Sequence, residues 1–308
     1  MRLLIYKSRI EPLELIVLKT LESRIQLSKK DQQNLYALTK GFEGEQKFDS
    51  LIQTLNCDCI VLNDLLLTVN NQTFQIDSIL ILKDQIFLFE IKNYSGDFYY
   101  DSNRFLQKDG FEISNPLIQL QRTESLMRQL LHKLNINIPI HSKVLFVNPE
   151  FSLYQAQPEK TFILPNQVNR FLKTLNLERL KLDERHRNIA EKLNTLHIQE
   201  YPLKQYPTFS YHELQKGIKC VSCETFKFCT TNYRREMEVL CLNCRSKQKL
   251  ESAVIRTAKE FQILFPDEKI TTPKVCDWCD LEISQKTIQR ILNKHFTKSG
   301  ANRWIYYT

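Results

Sequence analysis

Cys220-x2-Cys223 and Cys241-x2-Cys244 stand 17 residues apart, and this spacing constrains the chain more than any other feature in it. Two such knuckles can close four thiolates on one tetrahedral Zn²⁺. Four sulfurs leave no open coordination position. The ion would therefore be structural, tying together a segment, residues 215–248, too short to build its own core. Redox thiols or unrelated buried cysteines are the alternatives. The chain has nine Cys, and in the reducing cytosol such residues serve as metal ligands or buried thiols rather than disulfides. Cys229 reads as a small buried hydrophobe. Cys57 and Cys59 share a strand face in the core. Cys276 and Cys279, on a short helix with Val275, Trp278 and Leu281, read as core packing rather than a second zinc site.

A chain of 308 residues exceeds what one core usually organises, so several domains are expected. We expect a helical lead-in (1–36), an α/β body (37–200), the Cys module (215–248) and a basic helical module (249–308). Two prolines between Tyr201 and Pro207 mark the linker after the body. No apolar run approaches the roughly 20 residues of a membrane helix. The first ten residues are too short in apolar core for a signal peptide. A cytoplasmic protein without membrane contact is the expectation.

Apolar residues at helical spacing predict two helices over 11–40 and a further helix after Gly41-Phe42-Glu43-Gly44-Glu45, with Glu45 near its first turn. Runs of β-branched and aromatic residues predict strands over Cys57–Leu67, Thr73–Leu82, Ile86–Lys92 and Ser142–Asn148. Helices are expected over Pro116–His132, Gln167–Leu175 and Leu180–Leu196. The mixture is α/β or α+β. If Lys83-Asp84-Gln85 turns a hairpin, Asp77 falls opposite Ile91 or Lys92, and Glu90 and Lys92 share a face. A strand rich in Ile, Phe and Leu has no structural need for these charges, and burying them unpaired is costly. Paired carboxylates beside a lysine suit phosphodiester hydrolysis, in which they hold one or two Mg²⁺ ions and the lysine orients water or stabilises the phosphate. Glu-x-Lys alone is common, and a strand-edge Asp with a Glu–Lys pair on a solvated face accounts for it as well.

Several linked motifs stand around these residues: Gly41-Phe42-Glu43-Gly44-Glu45, Gln75-Ile76-Asp77, Glu90-Ile91-Lys92-Asn93-Tyr94-Ser95-Gly96, and Asn115-Pro116 with Gln119. In order and spacing they resemble the NERD (nuclease-related domain) family of bacterial proteins, whose core is similar to that of the PD-(D/E)xK nucleases. The resemblance covers roughly residues 37–150. It implies a restriction-endonuclease-like mixed sheet flanked by helices. It also implies Glu45 as a helix-borne acid, Asp77 and Glu90 as ligands of Mg²⁺ or Mn²⁺, Lys92 as the catalytic lysine and Gln119 as an auxiliary residue. Ile76 stands where the nuclease motif has proline, which removes no proposed ligand.

The chain carries 43 Lys and Arg against 35 Asp and Glu, and its last 25 residues contain no acid. Helices predicted over Leu250–Leu264, Thr272–Trp278 and Ser284–Phe296, then an extended Trp304–Tyr307, suggest a winged helix-turn-helix. Lys286, Gln289, Arg290, Asn293 and Lys294 would face outward from the last helix, with Lys298 and Arg303 beyond it, offering donors to nucleic acid, and a helix-turn-helix here points to DNA. An ordinary three-helix bundle with a solvated basic face is the plain alternative. Three functions follow: a Mg²⁺-dependent nuclease, a catalytically silent DNA-binding protein on a nuclease fold, and a zinc-stabilised scaffold. The intact Asp77, Glu90 and Lys92 favour the first and the basic tail disfavours the last.

Overall fold

A computed structural model describes residues 3–156, 161–178, 180–199, 206–233, 236–301 and 304–308. The chain opens with β1 (Leu4–Lys7), α1 (Leu13–Glu22), α2 (Lys29–Ile52), β2 (Ile60–Val69), β3 (Gln72–Ile81) and β4 (Ile86–Lys92). Then come β5 (Gly96–Asp101), β6 (Arg104–Gln107), β7 (Glu112–Ile113), α3 (Pro116–Lys133), β8 (Ile140–Phe146), β9 (Phe151–Tyr154), β10 (Phe162–Ile163), α4 (Pro165–Leu175) and α5 (Glu184–Thr195). The rest comprises β11 (Phe228–Tyr233), β12 (Glu236–Cys241), β13 (Lys247–Lys249), α6 (Leu250–Leu264), α7 (Thr272–Cys279), α8 (Gln285–His295), β14 (Lys298–Ser299) and β15 (Tyr306–Tyr307). Two compact units result: Met1–Pro12 with Tyr36–Lys204, and Leu13–Leu35 with Gln205–Thr308. The stretch read as a helical lead-in thus divides, because Leu4–Lys7 is a strand of the first unit while α1 belongs to the second.

The first unit is built on a six-stranded mixed sheet in the order β1-β2-β3-β4-β8-β10. The β2-β3-β4 meander is antiparallel, and β1, β8 and β10 join in parallel. Strands β2, β3 and β4 are largely apolar on both faces because helices cover both. Ile79, Ile81, Ile86 and Leu88 pack with Met127 and Leu130 of α3 and Ile189 and Leu193 of α5. Leu80, Phe87, Phe89 and Ile91 pack with Phe48 and Ile52 of α2 and Leu172 of α4. This is the expected mixed sheet flanked by helices. A second sheet, β7-β6-β5-β9, was not foreseen. Its strands are only two to six residues long, and its core is a stack of rings, with Phe146 and Phe151 4.1 Å apart, rather than an alternating apolar run.

In the second unit, β11, β12 and β13 form an antiparallel sheet beside the cysteine knuckles. Helices α6, α7 and α8 follow, then a short hairpin of β14 and β15. Ser284 caps α8 through its hydroxyl, which accepts from Thr287 N at 3.2 Å, as an N-cap serine should. The wing is shorter than the expected Trp304–Tyr307 strand, since only Tyr306 and Tyr307 pair. Arg24 anchors α1 to this unit: its guanidinium is buried, donates to Gln215 O and Glu260, and lies 4.2 Å from the centre of the Trp278 ring. Cys279 is buried and Cys276 partly so on α7, and Cys229 is only half-buried. Among the described residues no helix is long and apolar enough to cross a membrane.

Candidate active site

The β3–β4 register decides which charges meet. Leu82 N donates to Gln85 O at 2.9 Å, so the turn tip is Lys83-Asp84 alone, one residue shorter than Lys83-Asp84-Gln85. Ser78 therefore pairs with Phe89, and one step further Asp77 faces Glu90, not Ile91 or Lys92. Glu90 and Lys92 follow Ile86 and Leu88 in the two-residue period, toward the side covered by α3. On β2 and β3 the core-facing rows slip phase at this level, from Leu62 to Leu65 and from Ile79 to Ile76. Asp64 sits at the slip with φ 52, a left-handed conformation that Asp tolerates better than most residues. The β2–β3 ladder is thus interrupted beside Asp77, at the level where an acid breaks two otherwise apolar strands.

Helix α2 brings in Glu45. It runs unbroken from Lys29 to Ile52, so Glu45 lies in its interior and not in a first turn, and the macrodipole at a helix start does not explain the acid. Two close contacts fix its position. A Cβ on Gly44 would stand 2.5 Å from Asn93 Cβ, so only glycine lets α2 approach the end of β4 this closely. Asn93 then donates its amide to Lys40 O at 2.8 Å. Beyond it, Gly96 takes φ 96, which turns the chain from β4 into β5. Asn115 caps α3 by accepting from Leu117 N at 2.9 Å, with Pro116 at the first helical position, and this sets Gln119 one turn in. The glycine, asparagine and proline of the motifs are thus the joints that gather the charged residues.

Lys92 Nζ donates to Glu90 Oε1 at 2.7 Å and to Gln119 Oε1 at 3.3 Å. Asp77 Oδ2 accepts from Ile91 N at 2.7 Å. Burial, with Asp77 adding, raises Glu90 to about 7 against the pull of Lys92. Burial and Asp77 raise Glu45 to about 8 although Arg9 opposes them, and burial raises Asp77 as well. Desolvation works against the Lys92 ammonium, but Glu90, Tyr94 and Asp77 outweigh it and hold it above its ordinary value. Lys92 is therefore a cation at neutral pH, able to donate hydrogen bonds and unable to act as a base.

One member of the cluster gave no sign in the sequence. Arg9, between β1 and α1, donates Nε and Nη2 to the two oxygens of Asp49 at 3.0 and 3.2 Å. It also donates Nη1 to Glu45 Oε2 at 2.7 Å and Nη2 to Asp77 O at 2.8 Å. Its side chain is 3% exposed. Arg9 belongs to no motif, and only the pairing of β1 beside β2 brings it here. A concavity lined by Tyr100, Asp101, Ser102, Asn103 and Gln155 contains none of these residues.

The cysteines meet as their spacing implies. All four sulfurs of Cys220, Cys223, Cys241 and Cys244 lie within 4.8 Å of one another, and the pairs Cys220–Cys244 and Cys223–Cys241 are 3.6 Å apart. A tetrahedron with Zn–S bonds of ~2.3 Å has S···S edges of ~3.8 Å, so the cage fits zinc. The two knuckles repeat one geometry. Cys220 O accepts from Glu224 N and Cys241 O from Arg245 N, each at 3.0 Å, and Glu224 and Arg245 take φ 61 and 62. Hydrogen bonds from Asn243 and Thr225 pull Cys223 down to about 5, favouring the thiolate a metal needs. The acids fit a different ion. Their oxygens are hard donors suited to Mg²⁺ or Mn²⁺, which take one or two carboxylates and complete their shell with water and phosphate. Among the described residues only the cysteines form a group of three or more ligand atoms within 4.8 Å. Asp77 and Glu90 thus offer a pair of ligands and not a closed cage.

On α8, Lys286, Gln289, Arg290, Asn293 and Lys294 are exposed, as is Lys298 beyond it. Two of them are engaged within the unit, Lys294 with Glu251 at 2.8 Å and Asn293 with Tyr307 Oη at 3.0 Å. Arg303 lies outside the described residues. No curated protein and no solved structure matches the chain. About a third of it, residues 40–147, matches a family model, and that span contains Glu45, Asp77, Glu90, Lys92 and Gln119. In residues 40–147 this chain carries a NERD domain, the nuclease-related domain.

Proposed function

We propose that the nuclease-related domain hydrolyses phosphodiester bonds of nucleic acid, with DNA as the substrate, using a divalent ion held by Asp77 and Glu90. The observation that carries this reading is the meeting of two desolvated carboxylates with a lysine tied to one of them. Desolvation raises both acids, and a buried carboxylate that is costly to ionise alone gains most from a cation. Mg²⁺ or Mn²⁺ supplies Lewis acidity toward a phosphoryl oxygen and a bound water of lowered pKa. Lys92, held as an ammonium, donates to the phosphate or to the attacking water, and Gln119 Oε1 keeps that ammonium aimed. Glu45 stands behind Asp77 as the helix-borne acid. The four cysteines hold a structural Zn²⁺. On the C-terminal module Lys286, Gln289 and Arg290, joined by Asn293, Lys294, Lys298 and Arg303, contact phosphates and base edges.

The test is incubation of purified protein with single-stranded and duplex DNA and RNA under Mg²⁺ or Mn²⁺, with Asp77→Ala alongside. Cleavage by wild type that is lost in the variant supports the reading. A silent DNA-binding protein on the same fold is the second reading, favoured by the exposed Lys286, Gln289 and Arg290 on α8. That reading replaces the nuclease if folded, zinc-loaded wild type binds duplex DNA but neither binds these ions nor cuts.

A further inference from the structure

We infer that Arg9 is a built-in cation that closes the α2 side of the acidic cluster, so that the site takes one divalent ion and not two. The inference rests on the reading of Asp77 and Glu90 as ion ligands. Glu45 and Asp49 lie four residues apart on one face of α2, and Arg9 joins both to the backbone at Asp77. A two-metal site needs a surplus of acids, because two ions ~3.5–4 Å apart repel and must share negative ligands. Here the acids of α2 are already taken. Both oxygens of Asp49, Oε2 of Glu45 and the carbonyl oxygen of Asp77 accept hydrogen bonds from the one guanidinium. On the other side, Asp77 Oδ2 is held by Ile91 N and Glu90 Oε1 by Lys92. A second ion approaching α2 would have to displace a planar, bidentate Arg–carboxylate pair whose side chain is 3% exposed, the arrangement in which arginine is hardest to replace. Asp77 and Glu90 are left to a single ion, with Glu45 Oε1 the one oxygen on the α2 side not bonded to Arg9.

Arg9 is thus a positioning residue outside the nuclease-related span. It sets how many ions enter without touching the substrate, and it ties β1 to α2 and to the Asp77 end of β3.

The experiment is calorimetric titration of zinc-loaded protein with Mn²⁺, with the bound Mn²⁺ counted independently by paramagnetic resonance. Wild type should bind one ion. Arg9→Gln, which frees both Asp49 oxygens, should bind two, and Arg9→Lys, which keeps the charge, should bind one. Two ions in wild type, or one in Arg9→Gln, would overturn the inference. Should Arg9→Gln not fold, the triple variant Arg9→Gln, Glu45→Gln, Asp49→Asn removes the charges of the latch together. One ion retained there supports the inference, and loss of the ion overturns it. Wild type binding no ion would instead refute the ligand roles of Asp77 and Glu90, a separate outcome.

Discussion

Lowering the pH from 8 to 6 should weaken divalent-ion binding at the nuclease-related domain by at least tenfold. Glu90 is raised to about 7, mainly by burial and then by Asp77, and a ligand must be ionised to bind. Below its pKa the ion competes with one proton, and each pH unit costs about a factor of ten. Between pH 8 and 6 that amounts to about one decade from Glu90 alone. If Glu45, raised to about 8, must also lose its proton for the ion to enter, the fall approaches several hundredfold by the same arithmetic. The size of the effect therefore reports whether the α2 acid takes part. Calorimetry with Mn²⁺ in two buffers of different ionisation enthalpy measures both the affinity and the protons released. Near pH 6 about one proton should leave per ion if Glu90 acts alone. An affinity that stays flat across this range, with no proton release, would refute the assignment of a desolvated carboxylate as ligand.

The same acids bear on stability in the opposite sense. Groups raised in the folded state favour folding when protonated, so the ion-free protein should lose melting temperature as pH rises from 5 through 7 and 8, and Mg²⁺ should restore more at pH 8.5 than at 5.5. Gly44→Ala should destabilise by ~1–3 kcal/mol in urea titration, since its Cβ would meet Asn93 at 2.5 Å and overpacking costs that much. Gly41→Ala, in the same helix with nothing within 4 Å of its Cβ, should instead stabilise by ~0.5–1 kcal/mol. Elemental analysis should find one zinc per chain, and Cys241→Ser should abolish it. Lys286→Ala with Arg290→Ala should lower the salt slope of duplex binding by ~0.9 per lost phosphate contact, whereas Lys294→Ala should do less because Glu251 already offsets that charge.

The sequence made legible what rests on local chemistry. Four Cys at knuckle spacing, Ser284 before a helix, and Asn115-Pro116 at another helix start each carry their geometry within a few residues. Asp77, Glu90 and Lys92 were legible because charges stood in apolar strands. The error in their register came from a turn without glycine, where the Lys83-Asp84 tip gives no signal of its length. Arg9 was not legible, because what it does depends on β1 lying parallel to β2 across some fifty intervening residues. The place of α1 was hidden for the same reason: Leu15, Leu18 and Leu21 announce a buried face but not what buries it.

That last separation sets a timetable for synthesis. Arg24 precedes Gln215, whose carbonyl it binds, by 191 residues, and at ~5–20 residues per second a ribosome needs ~10–40 s to cover the distance. Throughout that interval the apolar face of α1 and a guanidinium destined for burial have emerged without their partners, while the whole nuclease-related domain is made in between. Helix α1 is thus made long before the partner of its neighbouring Arg24, and a chaperone that recognises apolar helices has an opening there.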